Sequence, residues 1–270
     1  MTIHKKVKDH LIAFLSKLYY KNDNRYNSIF PVPLKPLVVR RILKENNILY
    51  SESPVQYSWW YSSFINDRNS RDALSRWALM YITQNIDKSA KIFMTGCGTG
   101  WFLLLLADKG YKNLYGSDIM PECINALKDF SCIKHYIIDV WEDDGLNPSR
   151  IPAECDVVFV LHWIYSAWAG NYTDKNNGYK DMDSNYLLDN FFAKYHKNVK
   201  KGGLIFIELI DQLSDYYNVD VQAYPIRHKY DDVNNIASKY GFEIIDRCVG
   251  FAHKVRVLYV LQKTLIIDKS

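Results

Sequence analysis

The sequence predicts an α/β fold: a doubly wound, seven-stranded, mostly parallel sheet with its last strand antiparallel, preceded by a helical extension. Three observations predict it. From about residue 91, short apolar strands alternate with helical segments, the pattern of a parallel sheet covered on both faces. Residues 156–161 (DVVFVL) are almost wholly apolar, as a strand buried on both faces requires. The last two strand segments are joined by a short Gly-Phe-Ala-His turn, Gly250 to His253. That is too short for a parallel crossover, so they pair antiparallel.

The elements follow in order. Residues 91–95 form a strand that runs into Gly96-Cys97-Gly98-Thr99-Gly100. Residues 101–109 are Leu-rich and helical, with Gly110 as the stop. Residues 113–117 read as a second strand ending at Asp118, and 121–130 as a helix with Pro121 in its first turn. A third strand is predicted at 134–138, ending at Asp139, and the fourth at 156–161. A helix over 184–200 stops at Gly202-Gly203, before a fifth strand at 204–207. A helix over 230–240 ends at Gly241, followed by strands at 242–249 and 255–263.

Residues 1–90 read differently. Val7, Leu11, Phe14, Leu15 and Leu18 recur at helical spacing. Pro31, Pro33 and Pro36 break the chain, and 37–45 and 71–86 again look helical, with Trp59-Trp60 between them. The organisation predicted is a helical extension or cap over 1–90 and a sheet domain over 91–270.

Composition narrows the function. The 270 residues are 48% hydrophobic and carry a net charge of only +4, which excludes intrinsic disorder and argues against a protein that grips long nucleic acid. The basic excess is concentrated: residues 1–50 hold ten Lys/Arg against three Asp/Glu. That is a solvated helix face, or a patch that attracts phosphate or a membrane surface. No apolar run has the length of a membrane span, and the N-terminus lacks a signal-peptide pattern. Five cysteines with no CxxC read as reduced thiols, so the expected location is cytoplasmic.

The strongest chemical signal is the glycine loop between a strand and a helix. Glycines let the backbone turn sharply and let a ligand approach, and a helix N-terminus offers free N–H groups. A dinucleotide GxGxxG would need glycine where Trp101 stands, and a Walker loop would need Gly-Lys-Ser/Thr, which is absent. GxGxG followed by an acidic residue ending the second strand resembles the class I S-adenosylmethionine (SAM) dependent methyltransferases. The resemblance covers about 91–263 and includes the antiparallel final hairpin of their Rossmann-like fold. It implies SAM as cofactor, with S-adenosylhomocysteine (SAH) as product.

The resemblance also implies roles. Gly96, Cys97, Gly98 and Gly100 match the loop beneath the methionine and ribose. Asp118 matches the acid that accepts from both ribose hydroxyls, and Ile119 would lie against the adenine. Asp139 and Val140 match the position after the third strand that meets the adenine amino group. Leu161 and His162 match positions beside the sulfonium and the acceptor. Many family members carry an acid where Met94 stands.

The acceptor is read by elimination. After the fourth strand the chain carries His162-Trp163-Ile164-Tyr165, not the Asn/Asp-Pro-Pro-Tyr/Phe of enzymes that methylate exocyclic nitrogens, and the Pro-Cys of carbon-5 pyrimidine methylation is also absent. Both absences lower nucleic-acid bases as acceptors and leave oxygen acceptors and small molecules favoured. A hydroxyl needs a base, and histidine titrates near neutrality, so His162 is the first candidate. His253 is second, and His228, Asp211 and Glu208 are further candidates. Residues 165–183 and 211–229 are long, Tyr-rich and polar, which suits a sugar. Tyr165 and His253 would line the acceptor site, and Arg227 would hold a phosphate or carboxylate. No metal-ligand cluster stands out. The abundance of Lys, Asn, Ile and Tyr, whose codons are AT-rich, points to an AT-rich bacterial genome. The Tyr-rich segments and the general look of the chain resemble bacterial sugar O-methyltransferases of surface-polysaccharide biosynthesis, which implies a small-molecule acceptor such as a nucleotide-linked sugar. Two alternatives stay open: an RNA or protein methyltransferase, and a non-catalytic SAM-binding subunit.

Overall fold

A computed structural model of the chain describes residues 27–29, 68–98, 100–161, 163–164, 183–211, 227–251 and 255–264. The strands are β1 (Asn27–Ile29), β2 (Lys91–Thr95), β3 (Asn113–Asp118), β4 (Ile138–Glu142), β5 (Cys155–Val160), β6 (Val199–Ile210), β7 (Phe242–Phe251) and β8 (Val255–Lys263). They form one sheet in the order β1-β7-β8-β6-β5-β2-β3-β4. Strand β8 runs antiparallel to both its neighbours, and every other pairing is parallel. The helices are α1 (Arg68–Asn85), α2 (Trp101–Asp108), α3 (Pro121–Lys134), α4 (Ser184–Tyr195) and α5 (Tyr230–Lys239).

Alternation along the strands builds two cores. In β5, Val158 and Val160 face one side while Val157 and Phe159 face the other. On the first side lie Leu188, Phe191, Phe192 and Tyr195 of α4 and Val233 and Ile236 of α5. On the second lie Leu74, Ala78 and Ile82 of α1, Phe102 and Leu106 of α2, and Leu127 of α3. Each fully buried aromatic or aliphatic side chain contributes about 1.5–3 kcal/mol. Helix α1 therefore completes a layer of the sheet domain, although it lies within the predicted extension. Among the described residues, no helix is long and apolar enough to cross a membrane.

The seven expected strands are present, with two departures. An eighth strand, β1, comes from within the predicted extension, between the segments read as helices, and pairs parallel with β7 in the register Asn27↔Cys248. The third predicted strand is displaced. Helix α3 continues to Lys134, and β4 starts at Ile138 instead of 134. The helix ends on His135 in the left-handed conformation (φ 56°), where its N–H donates to Cys132 O and that of Tyr136 donates to Ser131 O. A C-cap of this geometry usually carries glycine. Histidine there leaves no punctuation to read, and the apolar Tyr136-Ile137-Ile138 mimics a strand, although Ile137 is 83% exposed.

The sheet also buries charge. Arg256 of β8 reaches Glu208 of β6, with 2.6 Å between Nη1 and Oε1, and both side chains are fully buried. At the C-terminal edge of β6, His228 forms a parallel bridge with Asp211 and donates its backbone N–H to Ile210 O at 3.1 Å. Its buried ring places Nε2 2.9 Å from Ser184 O, the carbonyl that opens α4. A carbonyl only accepts, so Nε2 carries the proton. Burial pushes the His228 pKa down to about 4, against the smaller upward pull of that hydrogen bond.

Two outcomes follow. Arg256→Met alone strips the guanidinium from a buried carboxylate and lowers the unfolding free energy by about 3–5 kcal/mol, while Glu208→Leu combined with it recovers most of the loss. Urea melts of the three proteins measure this. For His228 the unfolded chain takes up the proton first as pH falls, because its pKa there is the ordinary 6.5. The contribution is present above about pH 6.5 and fades toward about pH 4, amounting to about 3 kcal/mol. Melts from pH 7 to pH 4 flatten in His228→Gln, which keeps a donor for Ser184 and does not titrate.

Candidate active site

The glycine loop stands at the C-terminal edge of the sheet, where ligands bind in folds of this kind. Strand β2 ends at Thr95, and the loop turns through left-handed glycines: Gly96 at φ 64°, Gly98 at 55° and Gly100 at 71°. Two of them also lack room for a side chain. A Cβ on Gly96 would lie 2.1 Å from Trp163 Cδ1, and one on Gly100 would lie 2.2 Å from Leu127 Cδ2. Gly100 leads directly into α2 as its N-cap and has no side chain with which to cap the first turn. Cys97 N donates to Ser117 O at 2.9 Å, which ties the loop to β3. Its thiol is buried toward β3, and burial, reinforced by Asp118 and Cys123, pushes its pKa far up.

Asp118 ends β3 and is 8% exposed. Its Oδ2 accepts from Gly98 N at 2.7 Å and its Oδ1 from Met120 N at 3.0 Å. Burial raises its pKa, and those N–H groups partly offset the rise. Each oxygen retains capacity for a further donor. Ile119, half-buried, follows directly.

Asp139 and Val140 are the correction here. With β4 four residues later than expected, both lie inside the strand and not after it. Asp139 is paired in register with Tyr115, is exposed, and makes an ion pair with Arg150 at 2.5 Å. Val140 is buried in the core beside Gly116. The place after the strand belongs to Asp143, which the sequence reading missed. Asp143 is 8% exposed and its N–H donates to Asp118 O at 3.0 Å. Its carboxylate accepts from Ser149 N at 2.8 Å, Arg150 N at 3.2 Å and Trp141 Nε1 at 3.1 Å. The paired Asp143-Asp144 was the available signal, since Asp144 likewise caps the next turn through Leu146 N at 2.9 Å.

Other candidates divide. Leu161 is buried at the end of β5, within the core against α1 and α2. Trp163 follows, its indole lying against both Gly96 and Gly145. Arg227 is half-buried at the β6 edge, with its N–H 3.3 Å from Ser184 Oγ; burial lowers its pKa. Asp211 is buried at the same edge, whereas Glu208 is held by Arg256. His162, Tyr165 and His253 lie outside the described residues, as do Thr99 and the Trp59-Trp60 pair. The structure thus brings together the glycine loop, Asp118, Ile119 and Asp143 on one side, with Leu161 at the neighbouring strand end. Arg227 sits one strand further on.

No family model and no curated protein matches the sequence. Solved structures do. A SAM-dependent methyltransferase from Clostridium acetobutylicum superposes with a TM-score of 0.58 at 13% identity, covering 78% of this chain and 98% of that one. One from Methanosarcina mazei gives 0.54 at 16%, covering 68% and 97%. Magnesium protoporphyrin IX methyltransferase from Synechocystis, solved with bound SAM, gives 0.53 at 14%, covering 93% and 97%. The chain therefore has the fold of the SAM-dependent methyltransferases.

Proposed function

We propose that the protein is a SAM-dependent methyltransferase acting on a hydroxyl oxygen of a small molecule. The observation that carries this is the joining of the left-handed glycine loop to the Asp118 carboxylate at the C-terminal sheet edge. The donor set fits the cofactor. Asp118 is buried, already holds two N–H groups and still has acceptor capacity for the paired hydroxyls of a ribose. The turn beside it, with the open first turn of α2, supplies backbone donors for the amino-acid end. Ile119 offers an apolar face for the adenine, and the Asp143 end of β4 lies beside it.

When bound, SAM supplies a methyl group already activated by positive sulfur. The chain's task is then to align an acceptor, exclude water and take its proton. In this reading His162, which directly follows the buried end of β5, takes the hydroxyl proton. Arg227, at the end of β6, holds an anionic group of the acceptor through its paired donors. A nucleotide-linked sugar of bacterial surface-polysaccharide assembly joins those two demands, since it presents hydroxyls and a diphosphate together. Tyr165 and His253 complete the acceptor site.

Calorimetry with SAH tests the cofactor assignment. The wild-type chain binds, and Asp118→Ala weakens binding by at least about tenfold, or about 1.4 kcal/mol. Binding undiminished by that change removes Asp118 from the site. Transfer of tritiated methyl from SAM to a panel of sugars and nucleotide sugars tests the acceptor, and no transfer to any of them removes the sugar reading. With a true acceptor in hand, His162→Asn lowers kcat by about 10²–10⁴-fold. Unchanged turnover shows that His162 is not the base.

A further inference from the structure

We infer that Tyr195 is a positioning residue for the cofactor site, acting through a directional chain of hydroxyls that joins Thr95 to Gly145; this rests on the glycine loop being the cofactor cradle. Tyr195 is the last residue of α4 and fully buried. Its ring stacks on Phe191 (centroids 4.4 Å apart) and on Phe93 of β2 (6.4 Å). Its Oη lies 2.9 Å from Gly145 O and 3.1 Å from Thr95 Oγ1.

The chemistry of the three groups sets the direction of the chain. A phenol has one proton, and a carbonyl can only accept. Tyr195 therefore donates to Gly145 O, and the Thr95 hydroxyl donates to Tyr195 Oη. Burial raises the Tyr195 pKa, so the phenol keeps its proton. Thr95 is fully buried and immediately precedes Gly96, so its placement sets the start of the loop. Gly145 lies two residues after Asp143, in the segment whose N–H grips Asp118 O. The chain thus links the strand end beneath the glycine loop to the segment on the opposite side of Asp118.

A second contact links the same two places. A Cβ on Gly145 would lie 2.6 Å from Trp163 Cη2 and 2.7 Å from Thr95 Oγ1, and one on Gly96 would meet the other end of the same indole edge. The indole sets how near the two segments can come, and the hydroxyl chain holds them there. Neither group needs to touch the cofactor for its loss to misplace both walls of the site.

Isothermal calorimetry with SAH, paired with thermal melts, tests this. Tyr195→Phe keeps both ring stacks and deletes the oxygen; Thr95→Val keeps the shape and deletes the donor; Thr95→Ser keeps the hydroxyl. The first two each weaken SAH binding by about fivefold, the double variant is no weaker than the weaker single, and Thr95→Ser stays within about twofold of wild type. If Tyr195→Phe does not fold, the contrast between Thr95→Val and Thr95→Ser decides alone. Lower melting temperatures with wild-type SAH affinity overturn the inference and leave the chain as packing only. A wild-type chain that fails to bind SAH overturns the cofactor reading instead, a result distinct from the first.

Discussion

The grip of the Asp118 carboxylate on the backbone of Gly98 and Met120 is the constraint on which the candidate site depends. A buried carboxylate is costly unless its oxygens are satisfied. Here the satisfying groups are the backbone N–H of Gly98, within the glycine loop, and that of Met120, just after β3. The carbonyl of Asp118 takes the N–H of Asp143, so one side chain and its own peptide hold the loops after β2, β3 and β4 in register. A carboxylate oxygen has more than one lone pair, so holding these N–H groups does not exhaust what Asp118 can accept.

The sheet supplies the rigid floor. Strand β8, inserted in reverse between β6 and β7, brings the start of one strand beside the end of its neighbours. That is how Arg256, the second residue of β8, comes to face Glu208 near the end of β6. An ion pair of this kind, wholly out of water, adds little net stability but penalises any slip in register. At the same edge His228 bridges β6 and the opening carbonyl of α4, where both long polar segments of the sequence are rooted. Three polar devices thus pin the C-terminal edge, while the two apolar layers hold the rest.

Much of this was legible in one sequence, and the misses have physical causes. The glycine loop and Asp118 could be read because left-handed turns and strand-ending acids leave residue types that little else explains. Asp139 and Val140 were misplaced because α3 closes on a left-handed histidine, so nothing marked its end. Four residues of error then turned a strand-end position into a strand interior. Asp143 went unread for the same reason. Strand β1 was invisible because three residues paired at a sheet edge carry no periodicity of their own. Tyr195 looked like one more aromatic on a helix, since no spacing relates it to a threonine 100 residues away.

By itself the sequence determined the layered α/β architecture, the reversal of the final strand and the location of the glycine loop. Each of these is written in local chemistry: alternation, apolar runs, short links and glycine. Tertiary structure decided which acid stands at the end of β4, that Glu208 is matched by Arg256 and that α1 and β1 belong to the sheet. It also decided that a phenol buried under the loop joins Thr95 to Gly145. These depend on which residues distant in the chain are brought within hydrogen-bonding distance, and helix ends and strand register settle that only once the whole sheet is assembled.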